Sequence, residues 1–342
     1  MLYTTTRSHN DTFTAHRTLM HNRGPDGGLF VPFRIPVFSE DEILLLGQRS
    51  FNQILADTLN LFFNTHLTAY DVTFTMGRAP VRIQQLGQKI LMTECWHNTD
   101  WDFAGMIRDL SKLILADKKE EPSYTGWVGI GIRIAVLFGV FGELIRTGVA
   151  GPGNNIDVAL VCGDFSGVMS CWYAKKMGIP IGNIVCCCNE NGNVWNFICH
   201  GQLRTDTVAR RTAIPEGDIV IPEGLERLIS VYGGQEEVQR YVNSIHSGTT
   251  YYVEESFLKR IRNGIYVTVS SETRVMSTIP NVFVTHNYLL EPCSALAYAG
   301  LQDYRSRTGE MRTALVMMEK SPQLNSDVVA EALGITPDQM KL

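Results

Sequence analysis

The pattern of apolar and polar positions predicts alternating strands and helices in the middle of the chain. Residues 156–162 form an apolar run, which is typical of a strand buried on both faces. A helix is predicted over 168–177, where Gly178 and then Pro180 end it, and residues 184–188 form the next buried strand. Strand, helix and strand in this order predict a parallel pair joined by a right-handed crossover.

The N-terminal part of the chain carries separate helix and strand signals. Ser39 followed by Glu42 is a capping box and predicts a helix start, and a second helix is predicted over 51–65. Residues 81–92 alternate between apolar and polar, which predicts two strands joined by a tight turn at 87–88.

The C-terminal part is predicted to be mostly helical, and no long Pro-, Gly- or Ser-rich linker divides the chain. Helices are predicted over 225–232, 236–244, 255–263, 289–305 and 326–333, and a last strand over 313–318. We therefore predict a small N-terminal module at 1–95 and an α/β core at 96–342.

One apolar stretch, at 127–145, is long enough to raise the question of a membrane span. Arg133 interrupts it early and Glu143 lies near its end, whereas a spanning helix needs about 20 mostly apolar residues. We expect a buried core helix and no membrane span. The polar N-terminus, residues 1–10, gives no sign of a secretory signal.

Composition and charge narrow the possible functions. The 342 residues are 44% hydrophobic, which is enough for a sizeable core of one or two sub-domains. The net charge is −5 with no basic stripe, so nucleic acid is not an expected partner. The eight cysteines lie mostly in apolar segments, which indicates the cytoplasm or another reducing compartment.

Six short motifs occur in an order that resembles threonine synthase. They are residues 3–7 (Y-T-T-T-R), 25–32 (P-D-G-G-L-F-V-P), 173–180 (Y-A-K-K-M-G-I-P), 189–191 (N-E-N), 217–228 (G-D-I followed by E-R-L) and 288–295 (Y-L-L-E-P-C-S-A). The likeness covers about 1–110 and 124–334. It implies pyridoxal-phosphate (PLP) fold type II, similar to the tryptophan synthase β subunit, with a parallel sheet flanked by helices and a PLP-dependent carbon–oxygen lyase activity.

The segment that corresponds to the cofactor lysine departs from the family. The family pattern resembles E-L-F-H-G-P-T-x-A-F-K-D-F, and here His97 and Asp102 match its two ends. Trp101 holds the place of the lysine, and an indole cannot form the Schiff base that PLP chemistry requires.

Three further departures from the family pattern affect the binding of PLP. The family's mobile lobe with its S-G-D-T-G loop is reduced to residues 110–124, which predicts a truncated second lobe. The phosphate loop G-N-F-G is replaced by 163–166, in which Asp164 is expected to cap the following helix and to repel a phosphate. Glu319 stands where T-A-H-P supplies a hydroxyl. The predicted vestigial cleft comprises His97, Asp102, Gly163, Asp164, Phe165, Ser166, Asn189 and Glu319.

Other candidate sites have simpler interpretations. Neighbouring residues of a strand face opposite sides, so 186–188 (C-C-C) cannot converge on one ion, and we predict buried filler and no metal. Cys95 and His97 could form a nucleophile–base pair, but no third group orients them. Lys175 and Lys176 are late helix residues that favour solvent and the helix dipole.

We therefore expect a pseudoenzyme without a cofactor, acting as a non-catalytic scaffold or structural subunit. Its protein partner, or a second copy, is expected at an apolar surface near Trp96, Trp101 and Trp127. One alternative is a PLP-dependent lyase acting on O-phosphohomoserine or a related phosphorylated amino acid. Another is a PLP-independent small-molecule binder that uses the old cleft.

Overall fold

The computed structural model describes residues 1–78, 81–96, 102–115 and 120–340. The strands are β1 (Leu2–Thr5), β2 (Phe13–Thr14), β3 (Phe30–Pro32), β4 (Arg82–Gln85), β5 (Ile90–Glu94), β6 (Ile156–Val161), β7 (Ile181–Cys188), β8 (Gln202–Leu203), β9 (Tyr251–Tyr252), β10 (Ile265–Val269) and β11 (Ala314–Met318). The helices are α1 (Ala15–Met20), α2 (Glu40–Leu44), α3 (Phe51–Phe63), α4 (Ala69–Met76), α5 (Phe103–Ile114), α6 (Trp127–Arg146), α7 (Ser166–Lys176), α8 (Asn193–His200), α9 (Leu225–Ser247, with a kink at Gly234), α10 (Glu255–Arg262), α11 (Glu272–His286), α12 (Pro292–Thr308) and α13 (Ser326–Leu333).

A six-stranded sheet forms the centre of the molecule, in the order β10-β7-β6-β11-β5-β4. All neighbours are parallel except β4, which pairs antiparallel with β5. The predicted parallel pair of β6 and β7 and the predicted hairpin of β4 and β5 are confirmed. The α/β class with helices on both faces of the sheet is confirmed as well.

The N-terminal residues form a second, three-stranded sheet, in the order β2-β1-β3. However, β4 and β5 belong to the central sheet, so the structure does not divide the chain at residue 95 as predicted. The physical reason is shared burial, since one continuous apolar core runs from Tyr3 to Leu315 and includes residues on both sides of that boundary.

Helix α6 is the core helix that the apolar stretch predicted. It is long and apolar enough to cross a membrane, but 83% of its most apolar stretch is buried inside the protein. Gly139 lets α3 approach closely, because a Cβ there would lie 2.6 Å from the ring of Phe51. The prediction of a core helix is confirmed.

The apolar surface expected near three tryptophans is not present at two of them. Trp127 is fully buried, and its ring centre lies within 5.7 Å of the ring centres of Tyr3, Phe62 and Tyr173. The side chain of Trp96 is only 6% exposed. Trp101 lies outside the described residues. The N-terminal module covers Trp127, which explains why the expected exposure is wrong at that position.

Three of the sequence motifs meet where the N-terminal module docks on α9. Arg7 donates to both carboxylate oxygens of Glu226, at 3.1 and 2.9 Å, and the hydroxyl of Thr6 donates to the same carboxylate. The fully buried Arg227 donates to the backbone oxygen of Phe30 at 3.2 Å. These motif residues therefore hold the fold together.

Only residues 115–126 connect α5 to α6, and 116–119 of them lie outside the described residues. The truncated second lobe predicted at this point rests on the family resemblance and stays a prediction.

Candidate functional site

A cleft of about 270 Å³ opens at the carboxyl ends of β6 and β11. The chain leaves β6 into α7 on one face of the sheet and leaves β11 towards α13 on the other, so the cleft lies at a topological switch point. Ligands of open α/β sheets bind at such points. Its ionisable lining residues are Arg133, Asp164, Glu216, Glu291, Glu319 and Lys320.

Asp164 occupies the start of α7. Its carboxylate accepts from the backbone N–H of Ser166 at 2.9 Å and from the hydroxyl of Ser166 at 2.8 Å. Phe165 adopts a left-handed conformation, with φ of 71°, and its side chain is buried in the core and does not line the cleft. Phe165 is the N-cap residue of α7 and makes no side-chain cap bond, so the predicted N-cap at Asp164 is displaced by one residue, and Asp164 accepts from one N–H of the helix start. Its carboxylate lies near the position at which a helix N-terminus binds anions.

Glu319 is tied to the arginine of the core helix. Arg133 donates from Nε and Nη2 to the two carboxylate oxygens of Glu319, at 3.1 and 3.0 Å. The guanidinium also lies over the ring of Phe103, 5.0 Å from its centre. Glu319 holds the pKa of Arg133 above its ordinary value, although burial opposes this.

Asp102 lies beside this ion pair, but its carboxylate caps the start of α5. Its carboxylate accepts from the backbone N–H of Gly105 at 3.0 Å, and its backbone forms a bridge with Lys320. The predicted role of Asp102 as a cleft residue is therefore corrected to a helix cap, because its carboxylate lies at the start of a helix that the sequence pattern did not predict.

Lys320 is a primary amine in the cleft that the sequence analysis missed. Its ammonium forms an ion pair with Glu216, and the thiol of Cys293 donates to the same carboxylate at 3.3 Å. Burial opposes both charges, but the pair keeps the pKa of Glu216 below and the pKa of Lys320 above their ordinary values. The amine is therefore held protonated.

A second helix start at the cleft, that of α12, is also capped by a carboxylate of the chain. Buried Glu291 accepts from the backbone N–H groups of Ser294 at 2.6 Å and Cys293 at 2.8 Å. Burial raises the pKa of Glu291. The start of α12 thus has its free N–H donors satisfied from within, whereas at the start of α7 Asp164 accepts from the N–H of Ser166.

Asn189 does not line the cleft, and its predicted place there is corrected. Its side-chain amide donates to Asp218 at 2.7 Å and to Thr212 at 3.1 Å. These bonds hold the loop that carries Glu216, so Asn189 supports the cleft from behind. The family resemblance of residues 189–191 suggested the site, but Asn189 is bonded to the loop over 210–218.

The remaining sequence candidates give little chemistry. His97 lies outside the described residues, and burial raises the pKa of the Cys95 thiol, which opposes a nucleophilic thiolate. Lys175 donates to the backbone oxygen of Gly182, near the amino end of β7 and away from the cleft. Of the eight predicted cleft residues, Gly163, Asp164 and Glu319 line the cleft.

Three cysteines do meet, although not the three consecutive ones. The sulfur atoms of Cys162, Cys186 and Cys188 all lie within 4.8 Å of one another, and Cys162 lines the cleft. Cys187 faces the other side of the sheet, where its thiol donates to the backbone oxygen of Ala297 at 3.6 Å. Cys187 thus faces away from Cys186 and Cys188, as predicted, while the neighbouring strand β6 leads to Cys162, which supplies the third sulfur atom.

Comparison with known proteins identifies the fold. Residues 2–79 match the family model described as threonine synthase N terminus. The chain is 25% identical over 202 residues to human threonine synthase-like 1 and 20% identical over 251 residues to threonine synthase of Saccharomyces cerevisiae. These matches cover 58% and 66% of this chain, and 26% and 48% of the relatives. The chain thus spans about a quarter of the length of the human relative.

Two solved structures share the fold over nearly the whole chain. PLP-bound threonine synthase from Brucella melitensis has a TM-score of 0.86 at 18% identity, over 98% of this chain and 92% of that one. Threonine synthase from yeast has a TM-score of 0.84 at 15% identity, over 97% and 90%. At these identities the likeness establishes the fold, which is PLP fold type II as predicted.

The described cleft residues do not fit PLP. A Schiff base needs a neutral amine, but Lys320 is paired with Glu216, and the α7 start is filled by Asp164.

Proposed function

We propose that this chain is a threonine synthase-like protein that has lost PLP-dependent catalysis and uses its fold as a non-catalytic scaffold. The proposal rests on the contents of the cleft. Four carboxylates line it, Asp164, Glu216, Glu291 and Glu319, against two cations, Arg133 and Lys320. Each cation is already paired with a carboxylate.

The single observation that carries the proposal is the carboxylate of Asp164 at the start of α7. The backbone N–H of Ser166 already donates to the carboxylate of Asp164 at 2.9 Å. A phosphate dianion in that place would compete with Asp164 for this N–H. Two like charges a few ångströms apart repel each other by roughly 1–4 kcal/mol, depending on how much water screens them. The chain therefore supplies its own anion at the site where the fold would hold a cofactor phosphate.

The scaffold part of the proposal needs a contact surface other than Trp96 and Trp127, which are buried. Helix α4 presents Tyr70 and Phe74 one turn apart, and both side chains are largely exposed. Pulling down the native full-length chain and identifying stoichiometric partners tests this part. A protein that remains monomeric and free of partners at cellular concentration would contradict it.

The loss of catalysis is tested with the purified chain and an authentic threonine synthase as the positive control. We expect no visible absorbance from a bound aldimine, no saturable PLP binding at micromolar concentrations and no phosphate release from O-phosphohomoserine. Phosphate release at a rate comparable to the control, dependent on added PLP, would overturn the proposal.

The presence of Lys320 in the cleft favours a second candidate function. In it, Lys320 captures an aldehyde in place of the lysine that the family uses. Among the residues that the structure describes, Lys320 is the lysine that lines the cleft. In this case Glu216 would accept the proton that the ammonium must lose before it attacks a carbonyl. Borohydride trapping of small aldehydes, with Lys320→Gln as the matched variant, separates this candidate from the first.

A further inference from the structure

We propose that Cys162, Cys186 and Cys188 form a three-sulfur site for one thiophilic metal ion, of the class to which Cu(I) and Zn(II) belong. The proposal is independent of the cofactor, since it concerns thiol ligands in the wall of the sheet.

The strand register brings the three sulfur atoms together. Leu160 of β6 pairs with Cys186 of β7, and the backbone N–H of Cys162 donates to the oxygen of Cys187 at 2.8 Å. Cys162 therefore lies beside Cys188, on the same face of the sheet as Cys186. Because successive side chains of a strand point to opposite faces, Cys186 and Cys188 share one face of the sheet and Cys187 lies on the other.

The spacing fits a single ion. Metal–thiolate bonds are about 2.3 Å long, so three sulfur atoms around one ion lie roughly 4 Å apart. All three sulfur atoms here lie within 4.8 Å of one another, and small rotations about the side-chain bonds close the remaining difference. Apolar filler would explain the burial of these residues, but it does not require three sulfur atoms to converge.

Thiolate ligands select soft ions. Cu(I) and Zn(II) prefer such ligands, whereas Mg²⁺ and Ca²⁺ prefer oxygen. Within the described residues the group of nearby ligand atoms contains these three sulfurs, and no fourth protein ligand completes it. Three sulfurs can satisfy Cu(I), while Zn(II) needs a fourth ligand such as water.

The cleft supplies the access that a buried site needs. Cys162 lines the cleft, so an ion can reach the sulfur atoms from that side and a fourth position can face it. Asp164, two residues further on, also lines the cleft and adds a negative charge that attracts a cation.

The test uses the full chain, reduced and stripped with a chelator, and then titrated separately with zinc chloride and with Cu(I) held by a competing chelator. We expect one ion per chain after gel filtration in one of the two titrations, which identifies the metal. Cys186→Ser and Cys188→Ser should each weaken binding at least tenfold. Cys187→Ser, on the same strand but the opposite face, should bind as the parent chain does.

X-ray absorption of the metal-loaded parent chain keeps the proposal testable if the serine variants fail to fold. Three sulfur neighbours at about 2.3 Å are expected. Absence of a retained ion in both titrations overturns the proposal. Coordination by nitrogen and oxygen, or equal binding by the folded serine variants and the parent, also overturns it.

Discussion

Arg133 and Glu319 face each other across the cleft, joined by two hydrogen bonds of 3.1 and 3.0 Å. Arg133 comes from a helix that is otherwise almost entirely apolar, and Glu319 directly follows β11. Their side chains are 20% and 37% exposed, so water screens the pair only in part. The consequence is mutual dependence, because either charge alone would be left partly desolvated in the cleft.

The first prediction concerns the strength of this pair. Glu319→Gln and Arg133→Met should each destabilise the chain by about 1–3 kcal/mol, and the double variant should lose less than the sum, with a coupling of about 1–2 kcal/mol. Urea unfolding of the four proteins measures the cycle. The exposed pair Arg49 and Asp57 serves as the control and should couple by less than about 0.5 kcal/mol. Additive effects at Arg133 and Glu319 would contradict the prediction.

The second prediction concerns the docking of the N-terminal module. Glu226→Ala should destabilise the chain by about 2–4 kcal/mol, because it leaves Thr6 and Arg7 without their acceptor in a buried place. Glu223→Ala is the matched control, since Glu223 lies three residues earlier and its side chain is 43% exposed, against 4% for Glu226. It should change stability by less than about 0.5 kcal/mol. Equal effects in chemical denaturation would refute the docking role.

The third prediction concerns the start of α7. Asp164→Ala should cost about 1 kcal/mol of stability through loss of its two hydrogen bonds with Ser166, yet it should allow inorganic phosphate to bind at the freed N–H of Ser166. Thermal melts in phosphate and in sodium chloride of equal ionic strength measure both effects. Asp206→Ala, which removes an exposed carboxylate, is the control. A phosphate response of the parent chain equal to that of Asp164→Ala would count against self-occupation of this site.

The fourth prediction uses the reactivity of Cys293. Burial, together with Glu291 and Glu216, raises the pKa of this thiol, so little thiolate should be present at neutral pH and alkylation should be slow. Glu216→Gln removes one negative neighbour and lowers the pKa, which should speed alkylation roughly threefold to tenfold and move its pH profile to lower pH. Partly exposed Cys199 is the internal control and should react at an unchanged rate. Mass spectrometry of the alkylated peptides reports both rates.

Local signals in the sequence predicted much of the fold. The capping box of Ser39 and Glu42 is present as predicted, and the apolar run beginning at Ile156 is the central strand β6. The stretch over 264–288 gave no prediction, although it holds β10 and α11. The buried residues of α11 are separated by polar ones, and Pro280 lies inside the helix, so the pattern resembles a loop.

The composition of the cleft was predicted less completely, because its pairs join residues far apart in the chain. Arg133 and Glu319 are 186 positions apart, and Lys320 and Glu216 are 104 apart, so no local pattern connects them. The contact of Asp164 with the start of α7 was predicted because helix capping is a local feature, although the N-cap residue is Phe165. The meeting of Cys162 with Cys186 and Cys188 depends on strand register, which the sequence does not specify.

Borohydride reduction in the presence of PLP decides whether this chain has kept a lysine that forms a Schiff base with the cofactor. The chain is incubated with an excess of PLP, reduced, digested and mapped for phosphopyridoxyl-lysine by mass spectrometry, beside an authentic threonine synthase. We expect only scattered, substoichiometric labelling of exposed lysines, and the same labelling in the Lys320→Gln variant. One equivalent of label at a single lysine, above all at Lys320, would contradict it.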